Sequence, residues 1–257
     1  MKLKVLFFFS MVSFSISGHT NESIFFLGSS EKNPTGSAAI SGEGLVASYN
    51  FETYTDDGEL KDFSAFANHG KIKQKNETTG LFGKARIFET LEDVIDLPES
   101  ASLDLDGPLT ITAWLQLSKS NMHQHILSCD DIYVLWTTEQ DQYRLADTQG
   151  HGFVTNPNTT NTGQWHSVTA VLHATRGEAL NGNNIKIYIN GQEIEGKYST
   201  PWSPASLKPE NGCLIGASSS LSQAHQELEF KGIVDELQVF SRALSDAEIK
   251  AYANRKR

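Results

Sequence analysis

Basic residues are in short supply in this chain of 257 residues: 21 Lys and Arg stand against 31 Asp and Glu, for a net charge of −10. A chain this acidic lacks the cationic surface that a phosphate backbone needs, so no nucleic-acid partner is expected. Cysteine is nearly absent, with only Cys129 and Cys213, too few for a fold held together by a disulfide framework. After the first residues no apolar stretch is long enough to cross a bilayer. There is no phosphate loop, no G-x-S-x-G elbow and no H-E-x-x-H pair. No repeat of solenoid period occurs and no linker divides residues 42 to 254. What remains is 39% apolar and 20% charged, the make-up of an ordinary soluble domain.

The N-terminus reads as an export signal. Lys2 and Lys4 precede the apolar run VLFFFSMVSFSIS, which ends among the small residues Ser15, Ser17 and Gly18. Residues 1–18 are therefore assigned to the signal, with a retained anchor as the alternative, and residues 19–41, rich in Ser, Gly, Asn and Thr, to a flexible leader. The expected product is secreted or extracytoplasmic, in the periplasm or on the cell surface, with no membrane span once the signal is removed. In such a compartment Cys129 and Cys213 could pair. Each also borders an apolar run (HILSCDDIYVLW and NGCLIGA), so two buried thiols are the alternative.

From residue 42 onward short β-type runs alternate with turn residues. LVASYNFE, LTITAWLQL, IYVLWTT, WHSVTAVLHA, NIKIYING and LEFKGIVDELQVF are the clearest, at the spacing of an all-β sandwich. Asn190-Gly191 marks a hairpin, since both residues tolerate positive φ. One helix is expected, near residues 245–254, where Ser245 and Glu248 form a capping box. In GIVDELQVF, simple alternation places Asp235 with Ile233, Leu237 and Val239, an apolar company in which a carboxylate must be paired, hydrogen-bonded or metal-bound.

GLVASYNFE, DFSAFANHG, GLFGKARIFE, DVIDLPESASLDLDGPLTITAWLQL, TGQWHSVTAVL, IKIYINGQE and FKGIVDELQVFSRALSDAEI follow one another in an order that resembles a LamG-like (laminin G/pentraxin-type) domain of the concanavalin A-like jelly-roll superfamily. The resemblance extends over nearly all of residues 42–257. It implies two packed antiparallel sheets and a short C-terminal helix. It also implies a Ca²⁺ site at Glu52, Asp62, Asn68 and Asp235, oxygen donors of the kind the ion requires. Hydrogen bonds from Asp235 to amides of the loop beginning at Asp62 are the alternative. Two departures bear on that loop: Ala65 and Ala67 stand where the family often has Gly, and Ala resists positive φ.

This superfamily hosts lectins, adhesion modules, glycoside hydrolases and lyases, so function must come from the site. Paired catalytic carboxylates are not evident. The E-x-D-x-x-E run of the related hydrolases is missing, and ETLEDVID (Glu89 to Asp96) reads as a solvated turn. Gln142, Tyr143, Arg144 and His151 supply lyase-type chemistry, thinly spread. His123 and His125 form an H-x-H best read as a loop pair, and His166 is expected to pack or hydrogen-bond. Sugar binding needs aromatic faces. Trp114 and Trp165 fall on the more polar faces of their strands, which could line a groove or lie under a loop, and the family carries Trp at both places. Trp202, in STPWSPAS, is stiffened by Pro201 and Pro204 and is the candidate loop platform, unless its ring folds back on the sandwich. The expectation is an exported, non-catalytic module that binds carbohydrate or a surface glycoconjugate. An adhesion or scaffold module for a surface protein, or a small polysaccharide-degrading enzyme, are the alternatives.

Overall fold

The computed structural model describes residues 40–129, 132–147, 149–204, 212–218 and 229–255. The expected export signal and the leader as far as residue 39 lie outside the described residues. In chain order the strands are β1 (Leu45–Tyr49), β2 (Lys71–Ile72), β3 (Glu77–Thr79), β4 (Lys84–Phe88), β5 (Ile95–Leu97), β6 (Leu109–Leu117), β7 (Gln124–Cys129), β8 (Tyr133–Thr137), β9 (Tyr143–Ala146), β10 (Gly152–Thr155), β11 (His166–Leu172), β12 (Ile185–Ile189), β13 (Gln192–Ile194), β14 (Gly196–Ser199), β15 (Cys213–Ile215) and β16 (Gly232–Phe240). Helix α1 (Asp246–Ala253) follows.

The strands form two antiparallel sheets. The first runs β13-β12-β11-β6-β16-β4-β3, with β1 also on β16; the second runs β14-β10-β9-β8-β7-β15-β5-β2. Alternation decides what each sheet buries. In β6, Leu109, Ile111, Ala113, Leu115 and Leu117 point into the core, joined by Val168, Ala170 and Leu172 of β11. The second sheet contributes Leu127, Leu135, Tyr143, Leu145 and Phe153 to the same core. Each fully buried aliphatic or aromatic side chain of this kind contributes about 1.5–3 kcal/mol. The β12–β13 hairpin turns on Asn190 (φ 51°) and Gly191 (φ 74°), as the sequence requires.

Helix α1 begins at the expected box: the Ser245 hydroxyl accepts from the Glu248 amide, and the Glu248 carboxylate accepts from the Ser245 amide. Leu244 and Ile249 pack on Val171, Tyr188 and Phe240, which covers the outer face of the first sheet. Tyr188 fixes the helix start by donating to the Asp246 carboxylate at 2.9 Å. Cys129 and Cys213 are disulfide-bonded and tie β7 to its neighbour β15.

One expectation about β16 is corrected. Asp235 does not share a face with Leu237 and Val239. The register against β6 shifts between Asp235 and Gln238, and Glu236 takes φ 53°. This bulge inserts one extra residue. Val234, Leu237 and Val239 therefore all reach the core, while Asp235 lies opposite Trp114 and Gln238 opposite Thr112 on the outer side.

Candidate binding face

The four residues expected to hold Ca²⁺ fall into two separate places. Asp62 and Asn68 organise the loop after β1. Asp62 accepts from the amides of Ser48, Ser64 and Asn68, each at 2.8 Å, and from the Ser64 hydroxyl at 2.6 Å. A carboxylate offers about four lone-pair sites, so Asp62 is saturated. The Asn68 side chain donates to the Val46 carbonyl and the Ser102 hydroxyl. The loop does take the left-handed turn that Ala disfavours, at Ala67 (φ 53°). Glu52 and Asp235 hold a different segment, the β3–β4 turn Gly80–Gly83. Asp235 Oδ2 accepts from the amides of Leu81 and Phe82, both at 2.9 Å, and Glu52 Oε1 from the Lys84 amide at 2.8 Å. A Cβ on Gly83 would stand 1.8 Å from Glu52 Oε1, and one on Gly80 2.6 Å from Asp235 Oδ2, so the turn must be glycine at both ends.

The amides that Asp235 binds are thus those of the turn Gly80–Gly83 and not of the loop at Asp62. The set does not fit a single cation site, because Asp62 is saturated by N–H and O–H donors, Glu52 and Asp235 hold a different segment, and no group of three His, Cys, Asp or Glu converges among the described residues. Asp235 Oδ1 is buried without a hydrogen-bond partner among the described residues. Burial, with the charges of Glu236 and Glu52, pushes its carboxyl up to about 7 against the lowering effect of the two amide bonds.

The tryptophans also separate. Trp202 is 0% exposed, and its indole N–H donates to the Asp106 carbonyl at 3.0 Å. Its ring fills the core and offers no face to a sugar. Pro201 and Pro204 flank the ring, and the loop aims it inward. Trp114, 8% exposed, lies beneath α1, with Tyr252 stacked at 6.2 Å and Phe82 edge-on at 5.8 Å. Its polar strand face is a covered underside and not a groove. Trp165 is half-buried just before β11, where alternation continues it onto the same outer face as Ser167.

The acidic and lyase-type candidates do not converge. Asp93 is fully buried rather than solvated. It accepts from the amides of Glu89 and Thr90 and the side chains of Thr90, Gln74 and Asn76. Burial alone would raise its carboxyl, but these donors outweigh it and hold it low. Tyr143 points into the core, where its hydroxyl meets His166 Nε2, while His166 Nδ1 faces the Gln164 carbonyl at 3.0 Å. Arg144, one residue on, points the opposite way. His151 faces a third partner, the buried Asp147 carboxylate, at 3.2 Å.

The outer face of the second sheet carries what sequence reasoning passed over. In β8, Tyr133 and Leu135 point inward, so Trp136 stands outward on a central strand, half-buried. Register places His125 of β7 on one side of it and Arg144 of β9 on the other. The His125 ring stacks on Trp136 at 5.7 Å and 29°, and the Arg144 guanidinium carbon lies 5.0 Å from the ring centroid. The row continues through Val154 of β10 to the exposed Lys197 of β14. Three planar groups therefore stand side by side on rigid strands, on the sheet opposite to the one α1 covers. The signal was present in YVLW: alternation alone puts this Trp on the outer face, but nothing in the sequence said which of the two sheets α1 would cover.

The Laminin_G_3 family model, described as the concanavalin A-like lectin/glucanases superfamily, matches residues 88–250. Three solved structures share the fold. The binding domain of Paraclostridial Mosquitocidal Protein 1 aligns with TM-score 0.58 and 17% identity, over 82% of this chain and 52% of that one. Domain 4 of AbnA, an extracellular GH43 arabinanase from Geobacillus stearothermophilus in complex with arabinotriose, aligns with TM-score 0.53 and 19% identity, over 82% and 98%. The botulinum neurotoxin type G receptor binding domain aligns with TM-score 0.55 and 14% identity, over 82% and 51%. The chain thus spans about half the length of the first and the third. No curated protein matches the chain at significant similarity.

Proposed function

The chain belongs to the concanavalin A-like lectin/glucanases superfamily, and from that premise we propose that it is an exported, non-catalytic carbohydrate-binding module whose ligand lies on the outer face of the second sheet. The observation that carries this reading is the in-register row His125, Trp136 and Arg144 on β7, β8 and β9. Sugar C–H faces pack on aromatic surface, and hydroxyls need fixed donors beside it. Strands hold both here more rigidly than a loop would. An arabinotriose complex of a domain with the same fold supports the reading by analogy. Export accords with the disulfide Cys129–Cys213, a bond of oxidising compartments, and among the described residues no helix is long and apolar enough to cross a membrane.

Trp136→Ala tests the site. Titration calorimetry against whichever oligosaccharide binds best in a glycan panel should show affinity falling by about 1–3 kcal/mol. The melting temperature should change little, because the ring is only half-buried. An unchanged affinity in Trp136→Ala would remove the ligand from this face. A complete panel without binding would remove the carbohydrate reading itself.

A further inference from the structure

Resting on the binding face proposed above, we infer that its ligand is a sugar bearing a carboxylate, and that Arg144 is the group that recognises it. Of the other described arginines, Arg176 is exposed and donates to the Pro204 carbonyl, and the remaining three have their needs met within the chain. Arg242 pairs with Glu248 and Arg255 with Glu236, and Arg86 is buried against the carbonyls of Asp93 and Gln74. Arg144 is half-buried and has no carboxylate partner among the described residues. Only Nη2 is engaged, by the Gly150 carbonyl, which leaves Nε and Nη1 without an acceptor among those residues.

The nearest carboxylate, Asp147, does not serve it. Its oxygens accept from the amides of Gln149, His151 and Ser203 and face His151 Nδ1. Burial lowers the Arg144 pKa, with Asp147 opposing from a distance, yet a guanidinium remains charged at any physiological pH. A partly desolvated cation without an ion pair is costly. It is also an arrangement that a bidentate carboxylate would complete. Two contacts already fix the group, the Gly150 carbonyl and the Trp136 ring, so little freedom is lost on binding.

The surroundings agree in sign. Along the row from β7 to β14 the described outward side chains are His125, Trp136, Arg144, Val154 and Lys197, and the acid that borders the row, Glu229 beside His125, is paired with Lys231. Lys197 is exposed and lies two strands from Arg144, about 10 Å. On a chain with net charge −10, such a row does not follow from composition. A neutral glycan would leave both cations unused.

The test compares acidic probes with their neutral counterparts. Oligogalacturonate is titrated against the same oligomer after carboxyl reduction, and 3′-sialyllactose against lactose, which distinguishes a uronate chain from a sialylated end. At least one acidic probe should bind tenfold or more tightly than its neutral partner. Arg144→Gln should erase that preference and Arg144→Lys should keep part of it, both with a near-parental melting temperature. Trp136→Ala should weaken acidic and neutral binding alike. Equal affinity for acidic and neutral partners, or a preference that survives Arg144→Gln, overturns the assignment. So does binding of neutral sugars alone, an outcome that leaves the carbohydrate reading standing.

Discussion

Asp235→Asn separates a titrating carboxyl from a cation-bound one. The carboxyl is 0% exposed, accepts two amide bonds on Oδ2 and has Oδ1 without a partner among the described residues. Its pKa moves from 3.8 to about 7, mainly because burial disfavours the charge. That displacement corresponds to roughly 4 kcal/mol, at 1.36 kcal/mol for each tenfold change. The direction follows from linkage: the folded state holds the proton more tightly than the unfolded chain does. The contribution is complete below pH 4, declines as pH rises through about 7, and is lost above it. Asn stays neutral throughout, and its Oδ1 can keep the amides of Leu81 and Phe82. It places an NH₂ group where the protonated Asp235 carries a single O–H on Oδ1, one more unpaired donor, at a cost of about 1–3 kcal/mol. Urea unfolding at pH 4, 5.5, 7 and 8.5 should find Asp235→Asn less stable than the parent at pH 4, and level or ahead at pH 8.5. The difference between the two proteins should change by about 4 kcal/mol over that range, and a difference independent of pH would refute the reasoning. A chelator should leave both curves unchanged. If it destabilises the parent alone at pH 8.5, a cation and not a proton neutralises Asp235.

Two further predictions concern the core. Cys129–Cys213 closes a loop with a sequence separation of 84, so the double Cys→Ser variant should lose about 2–4 kcal/mol in denaturant unfolding; a loss below 0.5 kcal/mol would mean that β15 is held by its neighbours alone. Trp202→Ala should cost about 3–5 kcal/mol as a large-to-small core change, while glycan affinity, measured at a temperature where the variant is folded, should match the parent. That is the reverse of the pattern expected for Trp136→Ala.

The architecture was legible because its signals are local and repeated. Alternation in LTITAWLQL, the Asn190-Gly191 turn and the Ser245–Glu248 box each occur where the sequence places them. The face of Asp235 was not legible, because a bulge cancels alternation and nothing in GIVDELQVF marks one. Glu236 takes a positive φ without being Gly or Asn. What holds it there comes from later in the chain: Tyr252 donates to its carbonyl, and Arg255 pairs with its carboxylate at 2.7 Å. A local strain of order 1–3 kcal/mol is thus supported by α1 and the residue pair just beyond it, through contacts that only the folded chain possesses.

The tryptophans make the same point about the binding face. Trp114 and Trp136 carry nearly identical local signals, each standing on the outer side of a strand whose other side is core. Their fates differ because one sheet has a helix on it. The apolar positions Leu244, Ile249 and Tyr252 announce that α1 must cover something. Which sheet it covers is set by the seat that Val171, Tyr188 and Phe240 provide, residues drawn from β11, β12 and β16 that become neighbours only through the strand order of the first sheet. Covering that sheet makes Trp114 a packing residue. On the opposite sheet Trp136 keeps His125 and Arg144 beside it, and the half-buried guanidinium there has no acid to answer it among the described residues. The chemistry of the face is written in the side chains, but their availability is decided by topology.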